Sequence, residues 1–262
     1  MDNNKHFAPA AKENRKEGQI LVSPALNGLG QMACDVLMLE KIQKELQLEM
    51  AIRFYKWEGA WLSIGHNQKK LPRNWIDLAK KKKLRLVRRP SGGSAVLHAG
   101  GLTYSLAWHS PPKKKHLAYF EASKWLINCF AGLGVKLRVG NQVSTFQSDN
   151  CFDTSTVADL VDEEGIKRVG SAQLWRKGNL LQHGEILLDP PAKLWVEVFK
   201  RNPPKEATMA VPRDGLEEVL IRQLFLQWPQ LNWNTKEFST NELQKILDSS
   251  KSYLVNPSNS DF

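Results

Sequence analysis

Two adjacent arginines, Arg88 and Arg89, open a glycine-rich segment whose residues could bind an anion or a polarised carbonyl group. The pair Gly92-Gly93 follows shortly after, so the backbone there can approach a bound group without an intervening Cβ atom. Backbone N–H donors beside fixed positive charge suit a phosphate, a carboxylate or the oxyanion of a reacting carbonyl. The alternative is a plain hairpin turn with solvated arginines.

The chain contains three cysteines, and only Cys151 lies in a polar segment. Cys34 and Cys129 fall in apolar, helix-like stretches, which predicts small buried residues rather than nucleophiles. The odd number and the lack of CxxC spacing predict neither a disulfide framework nor a zinc site, and they favour a reducing compartment. Cys151 could act as a nucleophile if a nearby cation lowered its pKa from about 8.5. An unreactive loop thiol is the alternative.

Apolar and aromatic segments bounded by glycine predict the strands and helices that must position these residues. The predicted strands are 51–57, 61–64, 84–87, 95–97, 104–108 and 135–139. A hairpin of 159–161 with 167–169 and a further strand pair, 179–182 with 186–188, are predicted next. The predicted helices are 31–42, 74–83, 117–133, 193–200, 215–226 and a last one that follows a capping box at Ser239.

Four motifs, in this order and spacing, resemble those of the lipoate-protein ligase and octanoyltransferase family, which shares its fold with biotin protein ligases. They are MACD at 32–35, RFYKW with SIGHNQ at 53–68, RRPSGGSAVLH at 88–98, and KRVGSAQ with QHGEILLD at 167–189. The resemblance covers residues 28–189. It implies an α+β fold of mostly antiparallel sheets with packed helices. We expect one catalytic domain over 20–250, a flexible tail at 1–19 and a disordered tail at 251–262.

The resemblance also implies an acyl pocket formed by these motifs. The implied substrate-binding residues are Arg88, Arg89, Gly92, Gly93, Ser94, Ala95, Val96, Leu97, His98, Gly170, Ser171, Ala172, His183 and Gly184. Ser94 stands where the family usually has a third glycine, so the resemblance does not define the detailed shape of the pocket. The candidates for its apolar walls are Phe54, Trp61, Val96 and Tyr104. An ordinary buried histidine is the alternative for His98.

Members of this family use one of two chemistries. Octanoyltransferases take an octanoyl group from acyl carrier protein through a thioester on their own cysteine, and Cys151 lies about where those enzymes carry it. Lys167 matches the family's essential lysine and would lower the pKa of the thiol, while N–H groups of 92–95 and 170–171 would stabilise oxyanions. This route needs no cofactor. Its acceptor is a lysine of a lipoyl domain or of the glycine cleavage H protein.

Ligases of the same family activate the free acid with ATP and Mg²⁺ instead. Arg89, the segment 94–97 and Lys167 would then hold an acyl-adenylate. The longer ligases carry an additional C-terminal domain, and we expect this chain to be too short to contain one. That expectation favours the transferase, and no metal site is predicted for it.

The chain has a formal net charge of +10, with lysine runs at 80–83 and 113–115. Such a surface favours an acidic partner, and an acidic acyl carrier protein fits at least as well as nucleic acid. The lysine runs do not interleave with aromatic residues, and no helix-turn-helix, zinc-finger or RNA-recognition signature is present, so nucleic-acid binding is the lesser alternative. The sequence shows neither a signal peptide nor a membrane-spanning run, and we expect a cytoplasmic protein with no membrane partner.

Overall fold

The structure, a computed structural model, describes residues 15–140, 158–205 and 215–256. Its helices are α1 (Gly28–Lys44), α2 (Arg73–Lys80), α3 (Lys115–Gly132), α4 (Ala192–Phe199), α5 (Leu216–Gln227) and α6 (Thr240–Ser250). Its strands are β1 (Glu17–Leu21), β2 (Leu48–Tyr55), β3 (Trp61–Ile64), β4 (Arg85–Arg88), β5 (Val96–His98), β6 (Leu102–Trp108), β7 (Arg138–Val139), β8 (Leu160–Val161), β9 (Lys167–Arg176), β10 (Asn179–Ile186) and β11 (Asn232–Lys236). None of the helices in these ranges is long and apolar enough to cross a bilayer.

The strands form a large sheet and a small one. The large sheet has the order β11-β1-β2-β6-β10-β9-β8-β7, and the small sheet has the order β4-β3-β5. Strand β1 runs parallel to β2 and β11, and β3 runs parallel to β4. The other pairs are antiparallel. The prediction of an α+β fold with mostly antiparallel sheets is therefore confirmed.

The two faces of the large sheet differ in chemistry because successive side chains of a strand alternate. On one face, Phe54 and Tyr104 pack against Trp125 of α3, with ring centroids 6.0 Å and 5.7 Å apart. On the other face, Arg53 and its neighbours meet α1, where Arg53 Nη2 lies 2.6 Å from Asp35 Oδ1. The face under α3 thus carries a large apolar cluster, whereas the face under α1 combines buried polar groups with a smaller apolar cluster.

One of the predicted strand pairs is wrong. The sequence predicts separate strands at 179–182 and 186–188, but β10 is continuous and pairs with β9 along its length. Lys177 and Gly178 both have positive φ, 47° and 77°, and form the tight turn between the two strands. Gly184 interrupts the apolar pattern but lies inside the strand. Glycine is required there because a Cβ atom would lie 2.6 Å from the Tyr104 ring.

Residues near both ends of the described chain are more ordered than the sequence predicts. The expected flexible tail extends to residue 19, but β1 begins at Glu17, and β11 is a strand that the sequence analysis did not predict. Disorder is expected from residue 251, but Lys251–Tyr253 forms a 3₁₀ turn. Leu254 then forms a β-bridge with Val87, close to the arginine pair. The predicted capping box of Ser239 and Glu242 is confirmed at the start of α6.

Candidate active site

The family motifs meet at one narrow, mostly apolar cavity. Its lining combines α1, both sheets and the loop that follows β4: Met32, Tyr55, Ser63, Arg89, Gly93, Val96, His98, Thr103, Gly170, Ser171, Ala172, His183, Gly184 and Glu185. Residues more than 150 positions apart in the chain thus face the same space. Concave, largely apolar sites with a few fixed polar groups are the usual form of small-molecule sites.

The loop between β4 and β5, residues 89–95, is held together by hydrogen bonds from its first residue, Arg89. Arg89 is buried and donates to the carbonyl oxygens of Ser63 at 2.8 Å, Gly92 at 2.8 Å and Ser94 at 2.6 Å. Arg88 donates from Nη1 to carbonyl oxygens of the turn after β3, including that of Gly65 at 2.9 Å. Both guanidinium groups therefore hold backbone carbonyl groups in place, and Arg89 also lines the cavity.

Two glycines shape this loop for different reasons. Gly93 has a φ of +90°, a conformation that side chains rarely adopt, and it lines the cavity. A Cβ atom at Gly65 would lie 1.9 Å from the Gly93 carbonyl oxygen, so only glycine fits at that contact. A Cβ atom at Gly92 would meet no heavy atom within 4 Å. Of the two glycines expected to border a bound group, Gly93 lines the cavity and Gly92 does not.

Some predicted binding residues lie beside the cavity rather than in its lining, namely Arg88, Gly92, Ser94, Ala95 and Leu97. Alternation along β5 explains two of them, because Val96 and His98 face the cavity while Ala95 and Leu97 pack into the core of the small sheet. The same rule separates the predicted apolar walls. Phe54 and Tyr104 pack under α3, and Trp61 packs against Met32 and Val87, so only Val96 of those candidates reaches the cavity.

A chain of hydrogen bonds fixes His98 in the cavity wall. Ser63 Oγ lies 2.8 Å from His98 Nε2, and His98 Nδ1 lies 2.8 Å from Glu185 Oε2. Thr103 also donates to Glu185, and Trp57 stacks on the imidazole with ring centroids 4.1 Å apart. Arg89 also donates to Ser63 Oγ, so this chain connects the loop after β4 to Glu185 through His98.

A second chain of the same kind contains His183. His183 Nε2 lies 2.5 Å from Ser91 Oγ, and His183 Nδ1 lies 2.8 Å from Asp35 Oδ2. Asp35 also binds Arg53 through two hydrogen bonds to Oδ1. Burial would raise the pKa of Asp35, but the Arg53 charge and the His183 hydrogen bond outweigh it, so the pKa lies below its usual value. Asp35 is therefore a carboxylate in the folded protein.

The candidate catalytic residues differ in what the structure shows of them. Lys167 is buried, and its Nζ lies 2.8 Å from Asp159 Oδ1. Cys151 lies outside the described residues. The other two cysteines are buried, as predicted, and burial raises the pKa of Cys34 to about 12 and that of Cys129 to about 11. Neither of them can supply a thiolate near neutral pH.

Five lining residues were not assigned by sequence reasoning: Met32, Tyr55, Ser63, Thr103 and Glu185. Glu185 carried the clearest signal, since a carboxylate inside an apolar strand needs a buried partner. The others lie on strands or helices whose patterns indicate ordinary core.

Comparison with known proteins decides the family. The family model described as the lipoyl protein ligase A/B catalytic domain matches residues 27–218. The chain belongs to this family. The matched range contains every lining residue of the cavity.

Curated members of the family include close sequence relatives. The chain is 35% identical over 174 residues to octanoyltransferase LipM of Oceanobacillus iheyensis, a match that covers 64% of this chain and 63% of that protein. It is 36% identical over 189 residues to octanoyltransferase LipM of Lysinibacillus sphaericus, covering 68% of this chain and 66% of that protein. The matches thus span slightly less than two thirds of these relatives.

Solved structures of the family share the fold. The putative lipoate protein ligase Ta0514 of T. acidophilum with bound lipoic acid superposes with a TM-score of 0.73 at 21% identity, covering 89% of this chain and 94% of that one. A lipoate-protein ligase A bound with ATP superposes with a TM-score of 0.69 at 18% identity, covering 90% and 94%. At these identities the likeness shows the fold alone.

Proposed function

We propose that this protein is an octanoyltransferase. It would move an octanoyl group from acyl carrier protein through a thioester on Cys151 to a lysine of a lipoyl domain or of the glycine cleavage H protein. The observation that supports this most is the convergence of the family motifs on one mostly apolar cavity. The relatives at 35–36% identity are named octanoyltransferases, and the proposal takes its acyl group and its reaction type from that name.

The proposed reaction has two acyl-transfer steps. The Cys151 thiolate attacks the thioester carbonyl carbon of the donor, and the carrier thiol leaves as the new enzyme thioester forms. The neutral amine of the acceptor lysine then attacks that thioester. An amide forms, the Cys151 thiolate is released and the amine loses a proton. No step consumes ATP because both thioesters are already activated.

Lys167 is proposed to stabilise the thiolate of Cys151. A thiolate forms near neutral pH only where positive charge lowers the pKa of the thiol from about 8.5. Lys167 is a buried cation oriented by Asp159, and its strand continues into Gly170 and Ser171 in the cavity wall. Such a cation has a fixed position and little contact with solvent, and the Asp159 carboxylate that orients it offsets part of its charge.

The cavity is proposed to hold the octanoyl chain. The residues proposed to contact it are Arg89, Gly93, Val96, His98, Gly170, Ser171, Ala172, His183 and Gly184, with Met32, Tyr55, Ser63, Thr103 and Glu185 completing the wall. The histidines of the wall have hydrogen-bond partners within the protein: His98 binds Ser63 and Glu185, and His183 binds Ser91 and Asp35. A saturated chain can therefore pack beside them with little desolvation cost.

The donor is proposed to dock through charge. The lysine runs 80–83 and 113–115 are exposed in the structure. Acyl carrier proteins are typically acidic, and complementary charge speeds the encounter of two proteins. No nucleic acid is needed to account for this basic surface.

The test is transfer in the absence of nucleotide. Purified protein, octanoyl-acyl carrier protein and a lipoyl domain are mixed without ATP, and the lipoyl domain is weighed by mass spectrometry. We expect the mass of one octanoyl group on the domain. Octanoylation that occurs only from free octanoate with ATP and Mg²⁺ would instead establish a ligase and contradict the proposal.

A further inference from the structure

Ser91 and His183 connect two elements of the cavity wall by one short hydrogen bond. Ser91 belongs to the loop 89–95, and His183 belongs to β10, with 2.5 Å between Ser91 Oγ and His183 Nε2. Gly93 of the same loop and His183 itself both line the cavity. The bond therefore sets the distance between the loop and the strand.

Asp35 gives this bond its direction. Its carboxylate accepts from Arg53, from the Tyr55 hydroxyl at 3.3 Å and from His183 Nδ1 at 2.8 Å. A carboxylate has no hydrogen to donate, so the His183 proton must be on Nδ1. When Nδ1 carries the only ring proton, Nε2 is an acceptor and the Ser91 hydroxyl donates to it. The chain runs from Ser91 through His183 to Asp35, which is itself anchored by the buried Arg53.

The order serine, histidine, aspartate is also that of a hydrolase triad. A nucleophilic serine must reach its substrate, however, and Ser91 is 2% exposed and is not among the lining residues of the cavity. Its carbonyl oxygen is bound as well, by the His66 N–H at 2.8 Å. The geometry therefore suits a structural tether of the loop and not a nucleophile.

We propose that Ser91 and Asp35 are positioning residues for acyl binding, which they support through His183 by holding the loop 89–95 against β10. The proposal rests on the proposed function, because it takes the octanoyl chain to be the occupant of the cavity. It predicts that loss of the Ser91 hydroxyl weakens donor binding and leaves the chemical steps nearly unchanged.

The experiment compares Ser91→Ala, His183→Asn, His183→Gln and the double variant Ser91→Ala with His183→Asn. The shorter amide in His183→Asn can still donate to Asp35 but cannot reach Ser91, whereas the longer amide in His183→Gln can still accept from Ser91. KM and kcat are measured with octanoyl-acyl carrier protein. Ser23→Ala is the matched control, because it removes a serine hydrogen bond of 2.6 Å to the Phe54 carbonyl, outside the cavity.

We expect Ser91→Ala and His183→Asn each to raise KM about tenfold, the size of one lost hydrogen bond, with kcat within about threefold of wild type. The double variant should be no worse than either single variant, because both remove the same bond. His183→Gln should retain a lower KM than His183→Asn. The control should keep the wild-type KM, and the ¹⁵N spectrum of His183 should show the Nδ1-protonated tautomer.

Two results would overturn the inference in an active enzyme: a KM for Ser91→Ala within twofold of wild type, or additive effects in the double variant. An octanoyl adduct on Ser91 would also overturn it, in favour of a nucleophilic role. Failure of the proposed function looks different, since the wild-type chain would then transfer no octanoyl group at all.

Discussion

Lys167 Nζ lies 2.8 Å from Asp159 Oδ1, and both side chains are buried. Breaking such a pair leaves a charge in a poorly solvated site, so the two residues hold each other in place. This pair gives the proposed mechanism its fixed cation. It also shows that the lysine already has a carboxylate partner, which the sequence analysis did not predict.

Lys167→Met is expected to slow acylation of the enzyme at neutral pH. Without the cation, the pKa of the Cys151 thiol should return toward about 8.5, so the rate should recover partly as the pH is raised. The measurement is the pH–rate profile of acylation by octanoyl-acyl carrier protein. Lys136→Met is the control because its ion pair with Glu163 is exposed and should contribute little. Identical profiles for Lys167→Met and wild type would rule out the proposed role.

Asp35→Asn is expected to destabilise the fold by about 3–5 kcal/mol at pH 7, because it leaves the buried Arg53 charge without a counter-ion. The pKa of Asp35 is lowered in the folded state, so its stabilisation is present above the unfolded pKa of about 3.9 and is lost as pH falls through the folded pKa. Urea unfolding at pH 7 and at decreasing pH measures both effects. We expect the difference in free energy of unfolding between wild type and variant to decrease only at acidic pH. A difference that increases there would contradict this account.

Gly65→Ala and Gly92→Ala form a matched pair. The first places a Cβ atom 1.9 Å from the Gly93 carbonyl oxygen, and the second places one in open space. Overpacking of this kind typically costs about 1–3 kcal/mol, so only Gly65→Ala should lower the free energy of unfolding markedly. Chemical denaturation of both variants checks this. Equal losses would mean that the contact between Gly65 and Gly93 does not constrain the loop.

Charge reversal of Lys81 and Lys82 to glutamate is expected to lower kcat/KM for octanoyl-acyl carrier protein severalfold at low ionic strength. The difference should fade at high salt, since screening removes long-range attraction. A small octanoyl thioester, which lacks the acidic carrier, should be used equally well by both proteins. Lys245→Glu on α6, also exposed, serves as the control. A loss that is insensitive to salt would point to damage of the fold rather than to docking.

The sequence predicted local elements better than it predicted the walls of the site. Runs such as 61–64 are strands in the structure, whereas the hairpin of β9 and β10 that turns at Lys177-Gly178 was not predicted. The prediction failed where only tertiary packing decides, as at Gly184, where glycine is required by the Tyr104 ring across the sheet. The edge strand β11 and its neighbour β1 were missed because each is short and mostly polar.

The sheet face toward which each side chain points was the other source of error. Phe54 and Tyr104 are conspicuous aromatics beside the motifs, but strand alternation places them under α3, while their neighbours Tyr55 and Thr103 reach the cavity. A sequence gives the alternation but not which face carries the site. The partner of His98, Glu185, lies 87 residues away in the chain, and only the pairing of β10 with β6 brings it beside Thr103.

The intact mass of the protein after exposure to octanoyl-acyl carrier protein without ATP tests the central claim most directly. The account predicts an increase equal to one octanoyl group in wild type, mapped to Cys151, and no increase in Cys151→Ala. Undiminished acylation of Cys151→Ala, or wild-type protein that transfers the octanoyl group without ever carrying it, would contradict the account.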